Sequence, residues 1–213
     1  MSMEDLFLSF EKRKKLNQEN KRGIARKVLE LISTGDEIFL GAGTSVACLG
    51  EELAKPGKQF MLKIWTNNLF IVNLWLKEHN QIFSENFVGI TAGEISRKNL
   101  SVVNVVAPFS QIEKAIIGTP GISARGLSAD DMDTVQQIEF LIKRVSRVII
   151  LADSSKIGRE CTYPTRSMRM IKLDIKKGKK YILVTDRNND VKPGVTDTIS
   201  KLQDFGFQVI REG

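Results

Sequence analysis

The amino-acid sequence predicts an α/β fold in which a mostly parallel, Rossmann-like sheet carries helices on both faces. Short apolar segments alternate along the chain with longer segments whose apolar residues recur at three- and four-residue steps. Many of the apolar segments end in small, hydroxylated or amide residues, as strands do before a turn. Parallel strands need a crossover connection, usually a helix, so this alternation favours a covered parallel sheet. No linker-like segment divides the chain, so we predict one domain with room for a small inserted subdomain.

The first half of the chain predicts three strands with helices between them. Ile24, Val28 and Ile32 recur at helical spacing, and Gly35 is placed to end their helix. The predicted elements are, in order, a helix at Leu16–Ile32, a strand at Glu37–Leu40, a helix ending near Leu53, a strand at Phe60–Trp65, a helix at Leu69–Glu78 and a strand at Asn86–Thr91.

The second half repeats the alternation around a glycine-rich segment. One of its helices begins with several aspartates, which the positive end of a helix dipole favours. The predicted elements are strands at Ser101–Ala107 and Lys114–Ile117, a loop at Gly118–Gly126, a helix at Asp130–Val145, strands at Arg147–Leu151 and Tyr181–Val184, a helix at Thr196–Phe205 and a strand at Gln208–Ile210.

Composition excludes several classes of protein. The 42% hydrophobic and 27% charged content is ordinary for a water-soluble domain, and no window approaches the roughly 20 apolar residues of a membrane span. The first ten residues include Glu4 and Asp5 and do not form a signal peptide. Cys48, Cys161 and His79 are too few and too scattered for a zinc centre or a disulfide framework. We therefore predict a cytoplasmic protein without a metal or cofactor.

The net charge of +7 is concentrated in two stretches. The stretch Lys12–Lys27 is typical of the polar face of a helix, and Lys172–Lys180 of a solvated loop before a strand. Basic charge without a recognition motif favours a solvated surface or a field that attracts anions over direct DNA binding.

The candidate binding residues follow the predicted strands. In open α/β sheets, ligands bind at the carboxyl ends of the strands. Glycines allow the backbone to approach an anion, and the amides of a helix N-terminus together with hydroxyls bind phosphate oxygens. The sequence therefore predicts a site for a phosphorylated ligand made of ten residues: Gly43, Thr44, Ser45, Thr66, Asn67, Gly93, Gly118, Gly121, Asp153 and Lys156.

Each of these residues also has a plain structural interpretation. Thr44 or Ser45 can simply cap a helix. The segment Gly41–Ser45 is not a P-loop, because it lacks the Gly-Lys-Ser/Thr of that motif. Lys156 can pair with a phosphate or lie in water, and Asp153 can accept sugar hydroxyls or hold its own turn. Asn67 can bind a polyol or stabilise a turn.

Taken in order, these segments resemble the C-terminal sensor domain of the DeoR family of sugar-metabolism repressors. The resemblance covers roughly Phe10 to Asp186, and the most specific motif is Leu-Ala-Asp-Ser-Ser-Lys at 151–156. The other matching segments are Arg13, Asn20–Ala25, Gly35–Leu40, Gly43–Thr44, Thr66–Asn67, Ile117–Gly118, Gly121–Ile122, Gly126–Ser128 and Thr185–Asp186.

The resemblance implies the fold of ribose-5-phosphate isomerase and glucosamine-6-phosphate deaminase. The fold of CoA transferases is similar to it. The resemblance further implies a phosphorylated sugar or sugar alcohol as effector, and a homodimer or homotetramer. Residues 1–34 would form an N-terminal segment with a linker-type helix, and residues 35–213 the effector-binding domain. DNA would be bound only through a helix-turn-helix that this chain lacks.

Four positions depart from the family's pattern. Gly41 and Pro120 stand where the family has aspartates, and Ala92 stands where it has glycine. The family also has a lysine early in the helix after the glycine-rich segment, and Ile138 stands at that position here. These departures put the effector's identity in doubt and leave the fold prediction intact.

Three functional hypotheses follow. The first is a ligand-sensing domain of a sugar-metabolism regulator, which is not an enzyme. The second is a sugar-phosphate isomerase or deaminase, although no acid–base pair is evident in the predicted pocket. The third is an oligomerisation module whose pocket has lost its ligand.

Overall fold

The computed structural model describes residues 3–55, 60–77, 85–96, 98–106, 108–109, 111–187 and 194–212. The helices are α1 Met3–Lys15, α2 Gln18–Leu29, α3 Thr44–Leu53, α4 Leu69–Lys77, α5 Met132–Ile142, α6 Met168–Lys176 and α7 Val195–Asp204. The strands are β1 Glu37–Leu40, β2 Lys63–Thr66, β3 Phe87–Ile90, β4 Ala92–Ile95, β5 Val102–Val106, β6 Ile112–Gly118, β7 Gly121–Ser123, β8 Gly126–Ala129, β9 Val145–Leu151, β10 Tyr163–Ser167, β11 Lys180–Thr185 and β12 Gln208–Arg211.

Seven strands form a central parallel sheet in the order β12-β11-β9-β6-β1-β2-β3. Every pairing in this sheet is parallel, which confirms the predicted α/β class. From β1 the chain moves outward to β2 and β3, and it then returns to the other side of β1 as β6. The loops after β1 and β6 therefore leave in opposite directions, and a crevice opens between them.

The two faces of the central sheet bury separate cores because strand side chains alternate. On β1, Ile38 and Leu40 join the core under α2, α3 and α4, whereas Phe39 joins the core under α5, α6 and α7. All three side chains are fully buried. The result is a three-layer α/β/α arrangement, as the alternating pattern predicted.

The glycine-rich segment 118–126, predicted to be a loop, contains strands instead. β7 and β8 pair with each other, and β10 joins β8 to complete a three-stranded antiparallel sheet. Ile122 and Leu127 are buried against the core beneath this small sheet. The segment was missed because glycine is rare in strands and because β7 is only three residues long.

A second correction concerns the strands after β3. Residues 92–94, predicted to be a loop that reaches the pocket, lie in β4, which pairs antiparallel with β5 as a two-stranded hairpin. The predicted strand at 101–107 therefore belongs to this hairpin and not to the central sheet. All four residues of β4 are exposed.

The two basic stretches also differ from the prediction. Residues Lys172–Lys180, predicted to be a solvated loop, include the last turns of α6, an amphipathic helix that buries Met168 and Ile171. The stretch Lys12–Lys27 spans the end of α1 and most of α2, and its Lys14 and Lys21 are buried. Within the described residues, no helix has the length and apolar character that a membrane span needs.

The N-terminal helix α1 packs on the body of the domain. Leu6 and Phe10 are buried with Ala47 of α3 and Phe70 of α4, and the rings of Phe10 and Phe70 stack with centroids 5.1 Å apart. The Lys14 ammonium adds an ion pair with a carboxylate of α3, that of Glu51. Residues 3–15 are thus part of the packed structure. The predicted division of the chain into an N-terminal segment, 1–34, and an effector-binding domain, 35–213, stays a prediction.

Candidate functional site

A cavity of about 410 Å³ lies at the carboxyl ends of β1, β6 and β9, in the crevice at the switch point of the sheet. Its volume is in the range of small-molecule sites. Its walls are formed by Arg13, Leu16, Asn17, Lys21, Gly41, Ala42, Gly43, Thr44, Ser45, Asn99, Ile117, Gly118, Thr119, Pro120, Asp130, Asp131, Thr134, Gln137, Ile138, Leu141, Asp153, Ser155, Lys156 and Arg159.

The loop after β1 brings a helix N-terminus to the cavity. Gly43 precedes α3 with φ 109°, a conformation that L-residues rarely adopt, and it lines the cavity together with Thr44 and Ser45 of the first turn of α3. Asn68 fixes this loop from behind, since its side-chain amide donates to the carbonyls of Gly41 and Gly43, each at 3.2 Å. A helix N-terminus held in this way attracts negative charge.

The 3₁₀ turn 154–156 supplies a cation and a carboxylate. The Lys156 ammonium lies 3.2 Å from the Asp153 carboxylate and 3.4 Å from the hydroxyl of Ser45 at the start of α3. Asp153 also accepts hydrogen bonds from the backbone amide and the hydroxyl of Ser155. Burial opposes ionisation of Asp153, yet the charge of Lys156 and the hydrogen bonds from Ser155 hold its pKa below the ordinary value.

Asp186, at the end of β11, anchors the same turn. Its carboxylate accepts the backbone amide of Ser154 at 2.7 Å and the hydroxyl of Ser154 at 3.1 Å. Asn20 of α2 donates to it as well. Lys156 is therefore held at the cavity by a rigid frame that spans β9, β11 and α2.

Two basic residues from the N-terminal helices, Arg13 and Lys21, also line the cavity. Nη1 of Arg13 lies 3.4 Å from the Asn99 side-chain oxygen, and Nη2 has no hydrogen-bond partner among the described residues. Burial lowers the pKa of Arg13, and the nearby Asp131 opposes that effect. Burial, followed by repulsion from Lys156, lowers the pKa of Lys21 to about 8.

The side of the cavity next to α5 contains both acidic and apolar side chains. Asp131 caps α5 by accepting the backbone amide of Thr134 at 2.8 Å, so its carboxylate is already engaged. Asp130 pairs with Arg159 at 2.7 Å. The buried apolar side chains of the lining are Ile117, Ile138 and Leu141, and Ile117 lies beside Gly41 of the loop after β1.

Comparisons with known proteins decide the family. The family model for the DeoR C terminal sensor domain matches residues 16–177. The chain belongs to this family. The cavity described above is therefore the cavity of a DeoR sensor domain.

Among its relatives, the chain is 27% identical over 154 residues to the lactose phosphotransferase system repressor of Streptococcus mutans, which covers 72% of this chain and 60% of that protein. It is 28% identical over 166 residues to the glycerol-3-phosphate regulon repressor of Escherichia coli, covering 75% and 62% respectively. The chain thus spans about 60% of the length of these relatives. Ribose 5-phosphate isomerase A from Neisseria gonorrhoeae superposes with a TM-score of 0.47 at 15% identity, over 72% of this chain and 56% of that one.

Six of the ten predicted site residues line the cavity of this sensor domain. They are Gly43, Thr44, Ser45, Gly118, Asp153 and Lys156. They follow β1, β6 and β9, the strands that flank the switch point.

The other four predicted residues lie outside the cavity lining. Thr66 is buried and donates to the Leu40 carbonyl at 2.7 Å. The side-chain amide of Asn67 donates to the Val102 carbonyl at 3.0 Å, which holds the hairpin. Gly93 lies in the exposed β4. Gly121 lies in β7, where a Cβ atom would come 2.6 Å from the Arg159 carbonyl oxygen, so it shapes the cavity only from behind.

The four positions that depart from the family pattern divide in the same way. Gly41, Pro120 and Ile138 line the cavity, so the changes from charged residues alter the surface that a ligand touches. Ala92 lies in β4, away from the lining. His79 falls outside the described residues, as does Glu78 beside it.

Sequence reasoning missed the wall that the N-terminal helices build. Arg13 and Lys21 belong to the matching pattern of the DeoR family but were assigned to the polar face of a linker helix. A lysine at three-residue spacing from Ile24 on the apolar face of α2 was an available signal that Lys21 points inward. No local signal places Arg13, because the packing of α1 on α3 and α4 depends on residues about 40 and 60 positions further along the chain.

Proposed function

We propose that this domain senses a phosphorylated sugar or sugar alcohol and belongs to a regulator of sugar metabolism. The observation that carries the proposal is the set of cations that line the cavity at the N-terminus of α3. The Lys156 ammonium lies 3.4 Å from the Ser45 hydroxyl, and Arg13 and Lys21 line the same cavity. The acids Asp130 and Asp131 are already engaged by other groups. This arrangement suits a small ligand with a dianionic group at one end.

In this proposal the phosphoryl group lies at the first amides of α3. Thr44 and Ser45 offer hydroxyls there, and Lys156 offers a positive charge. The unpaired Nη2 of Arg13 gains a partner, which removes the cost of a buried donor without one. The hydroxyls of the ligand then face Asp153 on one side and the α5 wall on the other.

The names of the relatives support the chemical class. One is a lactose phosphotransferase system repressor, and another is a glycerol-3-phosphate regulon repressor. A third relative, at 25% identity, is described as an HTH-type transcriptional regulator. We propose that DNA is contacted through such a helix-turn-helix and not through the sensor domain. A homodimer or homotetramer stays a prediction.

A thermal-shift panel tests the proposal. Its probes are glycerol 3-phosphate, ribose 5-phosphate, fructose 6-phosphate and glucosamine 6-phosphate, each beside its unphosphorylated parent. A ligand at about 100 times its Kd stabilises the folded state by roughly 2.7 kcal/mol, which raises the Tm by several degrees. We expect a shift with at least one phosphorylated compound and none with its parent.

Lys156→Met should weaken that binding about tenfold or more, since it removes the cation nearest to the proposed phosphoryl group. Lys180→Met, at an exposed position at the start of β11, is the matched control and should bind as the native domain does. If no phosphorylated compound shifts the Tm of the folded domain, the sensing function is wrong. Catalytic conversion of ribose 5-phosphate by the purified domain would instead favour the enzyme hypothesis.

A further inference from the structure

The turn between α1 and α2 lies at the rim of the cavity. Leu16 and Asn17 form this turn, and both contribute to the cavity lining. Asn17 adopts φ 51° and ψ 40°, a left-handed conformation that is unfavourable for most residues and that asparagine tolerates. The turn is therefore held in one defined shape.

The side chain of Asn17 connects this turn to the turn that carries Lys156. Its amide nitrogen donates to the Asp153 carboxylate at 3.2 Å and lies 3.3 Å from the Ser155 hydroxyl, which it also contacts as a donor. The same carboxylate pairs with Lys156. A ligand that takes Lys156 as its partner thus changes the charge balance of the acceptor that holds Asn17.

The buried ammonium of Lys21 holds the same end of α1 from within. It donates to the carbonyls of Arg13 at 2.7 Å and Leu16 at 2.6 Å, which are free because a helix leaves its last carbonyls without partners. Lys21 is only 3% exposed and lines the cavity. The contacts of Lys21 and Asn17 therefore reach both the C-terminal end of α1 and the cavity, whereas the ion pair of Lys14 with Glu51 lies outside the cavity lining.

The rest of α1 is attached differently. Its N-terminal half is buried through Leu6 and Phe10 against an apolar cluster that does not line the cavity. The helix is thus held by apolar packing in its N-terminal half and by polar contacts at its C-terminal end, where those of Lys21 reach the cavity.

We propose that Asn17 is a positioning residue that couples occupancy of the cavity to the docking of α1. The inference rests on the proposed function and adds to it the route by which binding is felt outside the cavity. A bound anion screens the mutual repulsion of Arg13, Lys21 and Lys156, and these cations lie on three different elements. Binding therefore tightens the end of α1 against the 3₁₀ turn through the Asn17 contacts.

Hydrogen–deuterium exchange of the whole chain tests this coupling. The probe is the phosphorylated compound with the largest thermal shift, with inorganic phosphate as the minimal probe. In the native chain, saturation should slow exchange at residues 12–16 about tenfold, the effect of one or two part-buried hydrogen bonds. The amides of α7, which lies away from the cavity, should exchange at an unchanged rate.

Asn17→Gly separates the side-chain link from the backbone shape. Glycine adopts the left-handed conformation readily, so the turn is kept while the contacts to Asp153 and Ser155 are lost. Because Asn17 lines the cavity, the affinity of this variant is titrated first, and exchange is measured at a probe concentration that saturates it. Exchange at residues 12–16 should no longer respond to the probe.

Asn104→Gly is the matched control, because Asn104 has the same φ of 51° but is an exposed residue of the hairpin strand β5. It should keep the full response of α1. Binding with unchanged exchange in α1, or an Asn17→Gly variant that responds like the native chain, would overturn the coupling and leave the proposed function standing. If neither probe binds, the proposed function fails and the coupling falls with it.

Discussion

At the scale of single residues, Lys21 is a buried lysine whose pKa is lowered by its surroundings. Its ammonium satisfies carbonyls at the end of α1, which favours the charged form, but it does so within a buried space that also holds Arg13 and Lys156. Burial and the repulsion from Lys156 outweigh the carbonyls and lower the pKa to about 8. An empty cavity therefore leaves like charges close together, and an anion would relieve them.

This lowered pKa predicts a specific pH dependence of stability. Between about pH 8 and the ordinary lysine value of 10.5, the unfolded chain keeps a proton on Lys21 that the folded chain has released. The contribution of Lys21 to the free energy of unfolding should therefore rise with pH across this window and be smallest below pH 8. Urea unfolding of the native chain and of Lys21→Met, compared from pH 7 to 10.5, measures it.

Lys180→Met is the control, since Lys180 is exposed. The difference between native and Lys180→Met proteins should stay flat over the same pH range. A flat difference for Lys21→Met as well would mean that the buried ammonium titrates normally in the folded state.

The residue scale also shows the limit of the strand-end rule. The rule placed Thr66, Asn67 and Gly93 in the pocket because they follow strands, and β2 and β3 do end at the same edge of the sheet as β1. However, these strands lie on the far side of β1 from the switch point. There β3 leads into the β4–β5 hairpin, and Asn67, which follows β2, is hydrogen-bonded to β5. Strand order, which the sequence does not state, decides which strand ends reach the ligand.

At the scale of elements, α6 shows why composition misled the prediction. Seven of the fifteen residues from Arg166 to Lys180 are basic, which is typical of a solvated segment. Yet Met168, Ile171 and Ile175 recur at helical spacing, and they pack into the core beneath the small sheet. Exposed lysines on the other face of α6 concealed an ordinary amphipathic helix.

An ionic cluster around Arg166 of β10 holds α6 in place. Its guanidinium donates to both carboxylate oxygens of Asp174 at 2.8 Å and to those of Glu139 of α5 at 3.2 Å. The Tyr181 hydroxyl donates to Asp174 at 2.7 Å, and burial raises the pKa of that tyrosine. One cation thereby connects the small sheet, two helices and the central sheet.

Removing this cation should destabilise the fold. Arg166→Met leaves two carboxylates without their shared partner, and we expect a loss of roughly 2–3 kcal/mol in the free energy of unfolding, less than for a fully buried pair because Glu139 keeps some access to water. Lys143→Met removes an exposed partner of the same Glu139 and should cost less than about 0.5 kcal/mol. Equal losses in the two variants, measured by urea unfolding, would show that Arg166 is not the organising charge.

At the scale of the whole molecule, the parallel sheet, its helical cover and six residues of the cavity lining could be predicted from the sequence. They depend on local periodicity and on residues that directly follow β1, β6 and β9. The wall formed by α1, α2 and α5 could not, because it depends on how distant elements pack. The small sheet was missed for the same reason, since its short, glycine-containing strands are stable only against the core.

The arrangement of the whole domain makes one claim central, that a phosphoryl group binds at the N-terminus of α3 beside Lys156. The most direct measurement is a crystal structure of the domain with the phosphorylated compound that gives the largest thermal shift. The account predicts the phosphorus atom within hydrogen-bonding reach of the Thr44 and Ser45 amides and of the Lys156 ammonium. A ligand bound with its phosphoryl group at the α5 wall, or outside the cavity, would contradict it.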